Sequence, residues 1–223
     1  MYELITFDMF SAVLDIEGSA LPHIEAMLKK DPQECLAFFR IWRNRQWDYV
    51  LLSSCMQNGH LPYRDITWKT LQYAQKKTKM ALTSSQQQEL MAVWHRFKGW
   101  PEAASAVGRI RDKGYPVAAL SNGDDDMLGD LQESSGIFFD HVFSAERAGR
   151  YKPHPGIYAL PEAMTGIPKE KMLHVAGSLY DMMGAKAAGC FCAWVNRASE
   201  YTIDAQYRPD YEMRSLESLL DIL

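Results

Sequence analysis

The apolar run LITF ends on a carboxylate, Asp8, and two more apolar residues, Met9 and Phe10, follow at once. An ion buried there without a partner would cost several kcal/mol, so the acid either caps a turn or reacts. Other polar groups close apolar runs far downstream. Ser121 and Asn122 end YPVAALSNG, Asp181 ends the loop AGSLYD, and Lys152 stands between them in the stretch YKP. Brought together, these would give a nucleophilic carboxylate, a hydroxyl, an amide, a second carboxylate, and an ammonium to meet the charge. Taken singly, each has a duller use. Asp8 would be a turn residue, Lys152 a surface lysine, Ser121 and Asn122 turn formers before Gly123, and Asp181 the N-cap of the helix MMGAKAAG.

Elements that could gather them are legible in the pattern. LITF reads as a short buried strand, and YPVAALSNG, MLHVAGS and CFCAWVNR repeat the plan, each apolar and each ending in polar or small residues. Helical segments separate them: WPEAASAVGRIRDKG, DDMLGDLQESSG and DMMGAKAAG. Alternating strand and helix predict an α/β fold with a parallel sheet, whose ligands bind beyond the carboxyl ends of the strands. Asp8, Ser121, Asn122 and Asp181 all fall at such ends, with Lys152 nearby. Residues 15–97 break the alternation. They are rich in Trp, Arg, Gln and Met and helical in period, as in PQECLAFFRIWRNRQWDYVLL, DITWKTLQYAQKKT and SSQQQELMAVWHRF, with NGHLP as a loop between helices. The expected organisation is a core of residues 1–14 and 98–223 carrying a helical cap of residues 15–97.

Composition narrows the partners. The 223 residues suffice for a full core, and 24 basic and 28 acidic side chains are interspersed for a net charge of -4, which offers no footprint for nucleic acid or an anionic membrane. A small molecule is the expected partner. Cys35, Cys55, Cys190 and Cys192 lack metal-type spacing and read as reduced structural thiols, Cys190 and Cys192 on one face of a strand. No run approaches the ~20 apolar residues that span a bilayer, which points to the cytoplasm. The histidines, His23, His60, His95, His141, His154 and His174, are scattered without ligand spacing, so none is assigned to a metal. Cap aromatics such as Trp42, Trp47, Tyr49, Trp68 and Trp94 read as core or dimer contacts, and the apolar cap suggests a homodimer.

In order, FDMF, LSNG, YKP and VAGSLYD resemble the four motifs of the haloacid dehalogenase (HAD) superfamily, whose first-motif aspartate is the nucleophile. The nearer resemblance is to its L-specific, type II 2-haloacid dehalogenases, which typically read FDxYGTL where this chain has FDMFSAV. Shared with them are WR at Trp42 and Arg43, YKPxxxxY from Tyr151 to Tyr158, WxNR from Trp194 to Arg197, and the tail PDYEMRSLESLLDIL. Nearly the whole chain is covered. The resemblance implies a HAD-like Rossmannoid core with an inserted cap, acting without metal or cofactor on a small 2-haloalkanoic acid. Asp8 would displace the halide at C2, and water would then hydrolyse the resulting ester at the Asp8 carbonyl to release a 2-hydroxy acid. Lys152 would meet the charges of Asp8 and of the substrate carboxylate, and Asp181 would hold Lys152 and help orient the water. Arg43 and Asn122 would receive the halide beside Tyr180. Ser121 and backbone N–H groups after Asp8 would hold the substrate carboxylate. Phe10 joins the substrate-binding residues, Tyr158 supports from behind, and Ser178 counts with the catalytic set.

HAD phosphatases usually carry a second aspartate two places after the nucleophile and another in the fourth motif; Phe10 and Gly177 stand there in this chain. A leaving alkoxide needs the proton such an acid supplies, whereas a halide leaves without one. Other departures touch the dehalogenase pattern itself. Ala12 replaces a threonine, and Ala176, Gly177 and Ser178 replace the usual SSN. One oriented hydrogen bond to transition-state charge is worth ~3 kcal/mol, or about a hundredfold in rate, so these departures leave room for lost or redirected activity.

Overall fold

The computed structural model describes residues 1–56 and 59–223. The chain begins with β1 (Leu4–Phe7), a single turn of π-helix at Met9–Val13, and β2 (Leu14–Asp15). Four helices follow: α1 (Ile16–Leu28), α2 (Pro32–Cys55), α3 (Tyr63–Thr78) and α4 (Ser84–Val93). Next come β3 (Lys98–Gly99), α5 (Ala103–Asp112), β4 (Val117–Ser121), α6 (Asp125–Ser135), β5 (His141–Ser144), α7 (Ala145–Ala148) and α8 (Pro155–Thr165). Last are β6 (Met172–Ala176), α9 (Leu179–Ala187), β7 (Phe191–Val195), β8 (Tyr211–Met213) and a closing 3-10 turn at Leu216–Asp221.

Six strands form one parallel sheet in the order β5-β4-β1-β6-β7-β8, while β2 and β3 pair as a separate two-stranded ribbon. Strands β1, β4 and β6 are buried along their whole length, which their near-continuous apolar sequences allow and which a parallel sheet covered on both faces requires. The chain builds outward from β1 through β4 to β5, then crosses back to β6. Strand β1 is therefore the point at which the order reverses, the usual place for a ligand crevice. Its register sets Phe7 opposite Ala119 of β4 and opposite Val175 of β6, so Asp8 emerges at the middle of the sheet's carboxyl edge.

The helices of residues 16–93 have their own start signals. Asp15 caps α1 through Gly18 N–H, Asp31 caps α2 with Pro32 in the first turn, and Thr83 with Gln86 forms a capping box on α4. Three short strands, β3, β5 and β8, escape the apolar pattern because they carry exposed or half-buried residues such as Lys98, His141 and Glu212. Helix α5 begins at Ala103, two residues after Pro101, since a turn intervenes. Cys190 precedes β7 instead of sharing a strand face with Cys192, although both are buried. Part of the expected NGHLP loop, Asn58, lies outside the described residues. None of the described helices is long and apolar enough to cross a membrane.

Candidate active site

Asp8 is fixed as the chain leaves β1. Its N–H donates to Val175 O at 2.9 Å, and the π-turn folds Ser11 back so that Ser11 N and Oγ donate to Asp8 Oδ2 at 3.1 and 2.5 Å. The other oxygen, Oδ1, faces Lys152 Nζ at 3.3 Å. Lys152 is 1% exposed and reaches Asp181 Oδ2 as well, at 2.9 Å, while its backbone N–H donates to Asn122 Oδ1 at 2.8 Å. One ammonium thus bridges two buried carboxylates and is itself located by the amide at the end of β4.

Asp181 is saturated with donors. Tyr158 O–H donates to Oδ1 at 2.8 Å, and His174 Nε2 meets Oδ2 at 3.0 Å. His174 Nδ1 lies 2.9 Å from Thr6 Oγ1, so the ring links Thr6 to Asp181. Burial alone would push the Asp181 carboxyl up, but the Lys152 and His174 contacts outweigh it and hold it well below the usual carboxylate range. Burial would likewise pull the Lys152 ammonium down, and the charges of Asp181 and Asp8 raise it above the ordinary lysine value instead. Burial and the Asp181 charge push the Tyr158 phenol up, which keeps it a donor.

Above Asp8 lies a narrow pocket lined by Asp8, Asn122 and Lys152 from the sheet side, and by Arg43, Trp47 and Val50 of α2 with Tyr63 of α3 opposite. Phe10 closes one wall, stacked on Tyr63 with centroids 5.3 Å apart. Arg43 donates to Tyr63 Oη at 3.0 Å, and its guanidinium carbon sits 6.0, 5.2 and 5.5 Å from the ring centroids of Phe10, Trp47 and Trp94. A cation held by aromatic faces and without a carboxylate partner keeps its charge for an anion. Three further arginines of these helices are engaged: Arg40 with Glu17, Arg45 with Asp48, and Arg64 with Asp124 and Asp126. An open groove borders Ser11, Arg43 and Trp47 on the outer side and runs past Gly177, Ser178 and Arg197.

Sequence-expected residues thus fall into three places. Asp8, Phe10, Arg43, Asn122 and Lys152 line the pocket; Asp181 and Tyr158 stand behind Lys152; Ser121, fully buried beside Asn122, has a hydroxyl with no hydrogen-bond partner among the described residues. Tyr180 does not line the pocket. It is 49% exposed and touches Trp47 from outside, centroids 5.7 Å apart, because its place early in α9 turns it to the surface. Asp181 does not cap α9 either: Ser178 does, accepting from Asp181 N at 3.3 Å, so the aspartate is free to turn inward. Trp47, expected in the core or at a dimer contact, lines the pocket, whereas Trp42 and Trp94 are buried. Three participants were missed. His174 could have been found as the polar residue inside the buried strand MLHVA, and Ser11 as the hydroxyl next to Ala12. Tyr63, opening a helix after Pro62, gave no signal.

Magnesium, common among HAD proteins, does not fit these residues. The Lys152 ammonium occupies the space between the two carboxylates, and Phe10 and Gly177 bring no side-chain oxygen ligand. Among the described residues no three His, Cys, Asp or Glu side chains are grouped so as to hold a metal.

Comparison with known proteins places the chain in a family. A family model described as haloacid dehalogenase-like hydrolase matches residues 2–189. Haloacetate dehalogenase H-2 of Moraxella sp. (strain B) is 28% identical, the match covering 99% of this chain and 97% of that protein. (S)-2-haloacid dehalogenase H-109 of Pseudomonas putida shows the same identity and coverage. A solved L-2-haloacid dehalogenase superposes with a TM-score of 0.92 at 27% identity, over 99% of this chain and 98% of that one. The Xanthobacter autotrophicus L-2-haloacid dehalogenase with chloropropionic acid covalently bound gives 0.84 at 23% identity, over 100% and 98%, a likeness of fold.

Proposed function

The chain belongs to the haloacid dehalogenase-like hydrolase family, and we propose that within it the protein cleaves the carbon–halogen bond of a small 2-haloalkanoic acid. The observation that carries this reading is Lys152 bridging Asp8 and Asp181 beneath a pocket whose opposite wall holds Arg43 among aromatic rings. Nothing at the position of Phe10 can protonate a leaving group, and a halide needs no proton.

Each half of the substrate finds a partner. The unpaired Ser121 hydroxyl and the Lys152 ammonium receive the carboxylate, while Arg43 and Asn122 receive the halogen. Asp8 Oδ1 forms a bond to C2 as the carbon–halogen bond breaks and the halide departs with its electron pair. Water then adds to Asp8 Cγ, and its proton passes to Oδ1 as the Cγ–Oδ1 bond breaks, which frees the 2-hydroxy acid with Oδ1 as its new hydroxyl oxygen and restores the Asp8 carboxylate. The helices of residues 16–93 act as a cap in this scheme, since α2 supplies Arg43, Trp47 and Val50 to the pocket and α3 supplies Tyr63.

Halide release from L- and D-2-chloropropionate and from chloroacetate, measured in EDTA for the wild type and Asp8→Asn, tests the proposal. Release is expected to survive EDTA and to fall to background in the variant. Release that needs added Mg²⁺, or that persists in Asp8→Asn, would defeat it, and turnover of a phosphate ester in place of any haloacid would move the protein to the phosphatases.

A further inference from the structure

We infer that Ser11 is a catalytic residue of the hydrolytic half-reaction, its backbone N–H and side-chain O–H forming the oxyanion hole for the Asp8 ester. The inference rests on the dehalogenase reading and deepens it. Both donors converge on one oxygen, Asp8 Oδ2, at 3.1 Å from the nitrogen and 2.5 Å from the hydroxyl, and a carboxylate can only accept, so both hydrogens point at it. That leaves Oδ1, with the Lys152 contact alone, as the oxygen whose lone pair is free to attack.

Once Oδ1 is joined to C2, Oδ2 is the ester carbonyl oxygen. Water adding to Cγ shifts the carbonyl π electrons onto Oδ2, and the negative charge develops on the atom that Ser11 already contacts. Collapse of this adduct returns the electrons to the carbonyl as the Cγ–Oδ1 bond breaks, and the proton given up by the attacking water passes to Oδ1, the departing alkoxide oxygen. Donors fixed in advance at a developing oxyanion accelerate its formation because no reorganisation is needed.

This chain differs here from the pattern it resembles. FDxYGTL has glycine and threonine where FDMFSAV has Ser11 and Ala12, so the hydroxyl lost at one position returns at the preceding one. The surroundings hold the relocated group. Trp100 Nε1 donates to Ser11 O at 3.3 Å, and Arg197 Nη2 reaches Ala12 O at 3.5 Å. Gly177 lies so close beneath that a Cβ there would overlap the backbone of Ser11 and Ala12, and glycine alone lets the fourth-motif loop support the turn.

Rapid acid quench of a single turnover of chloroacetate, followed by mass analysis of the peptide bearing Asp8, reads the two halves separately. In Ser11→Ala, ester formation is expected to keep its wild-type rate and ester hydrolysis to slow by about a hundredfold. Halide then appears as a burst of one per active site, and the modified Asp8 peptide accumulates. Ser11→Thr, which keeps the hydroxyl, should restore hydrolysis to within about tenfold. Equal slowing of both halves, or no change in either, overturns the role of Ser11 and leaves the dehalogenase reading intact. A wild type that releases no halide fails the parent reading, and this inference falls with it.

Discussion

At the residue scale the site is a chain of buried contacts that runs from Thr6 through His174, Asp181 and Lys152 to Asp8. Asp181 cannot easily serve as the base for water, since three donors saturate it and its carboxyl is held well below the usual range. Its use is to remain an anion, so that Lys152 stays a cation at Oδ1. His174 contributes one of the three donors and satisfies Thr6 in the same move. Replacing it by phenylalanine, His174→Phe, keeps a ring of similar size but leaves Thr6 Oγ1 and one Asp181 lone pair unmet, at a cost of about 1–3 kcal/mol. Urea denaturation should show that loss, while kcat for halide release should fall by no more than about tenfold, because Lys152 keeps both carboxylates. A collapse of kcat with unchanged stability would instead make His174 a participant in proton transfer.

At the element scale, one carboxylate ties the helices of residues 16–93 to the sheet. Asp124 occupies the N-cap position of α6, yet its side chain makes no bond to that helix. It accepts from Tyr63 N at 2.8 Å and Arg64 N at 2.9 Å, so it caps α3, whose own N-cap residue, Pro62, has no side chain able to do so. Tyr63 is the residue that carries the Arg43 hydrogen bond and stacks on Phe10. Asp124→Ala is therefore expected to cost about 0.5–2 kcal/mol of stability and, by freeing Tyr63, to raise KM for the haloacid severalfold; an unchanged KM would mean that α3 is held by its packing alone. Nothing in the sequence pointed to this tether, because it joins residues far apart in the chain and DDD reads only as an acidic helix start. By contrast β1, β4, β6 and β7 were legible, since strands buried over most of their length leave a near-continuous apolar run. Asp8, Lys152 and Asp181 were legible too, through the ends of those strands and a family resemblance. Tyr180 was misplaced because motif position says nothing of which way a helical side chain turns.

At the scale of the whole molecule, the reversal of strand order at β1 gathers groups from β1, β4, β6 and the turn before α8 into one crevice, and burying them makes folding depend on pH. Two shifts set the window. Asp181 has its folded pKa depressed, so it contributes stability that is present above the unfolded value of about 3.9 and is lost as pH falls below it, when the unfolded chain binds a proton the native one refuses. Lys152 has its folded pKa raised, so its contribution is full below the unfolded value of about 10.4 and is lost as pH rises beyond it. Stability should thus be flat with respect to this pair between about pH 4 and 10 and fall outside that span, on the acid side by up to about 1.4 kcal/mol per pH unit from Asp181 alone. Other carboxylates also titrate in acid, so the comparison that isolates these buried charges is the triple variant Asp8→Asn, Lys152→Met and Asp181→Asn, which removes the ammonium together with both carboxylates it bridges and nearly preserves volume. Apolar or neutral replacements of a whole buried ion cluster are often tolerated, and the triple variant should unfold in urea with shallower acid and alkaline limbs than the wild type. Parallel profiles for the two proteins would show that the window is set by charges elsewhere on the surface, and that the buried lysine is kept for its chemistry at Asp8 without governing the pH range in which the fold survives.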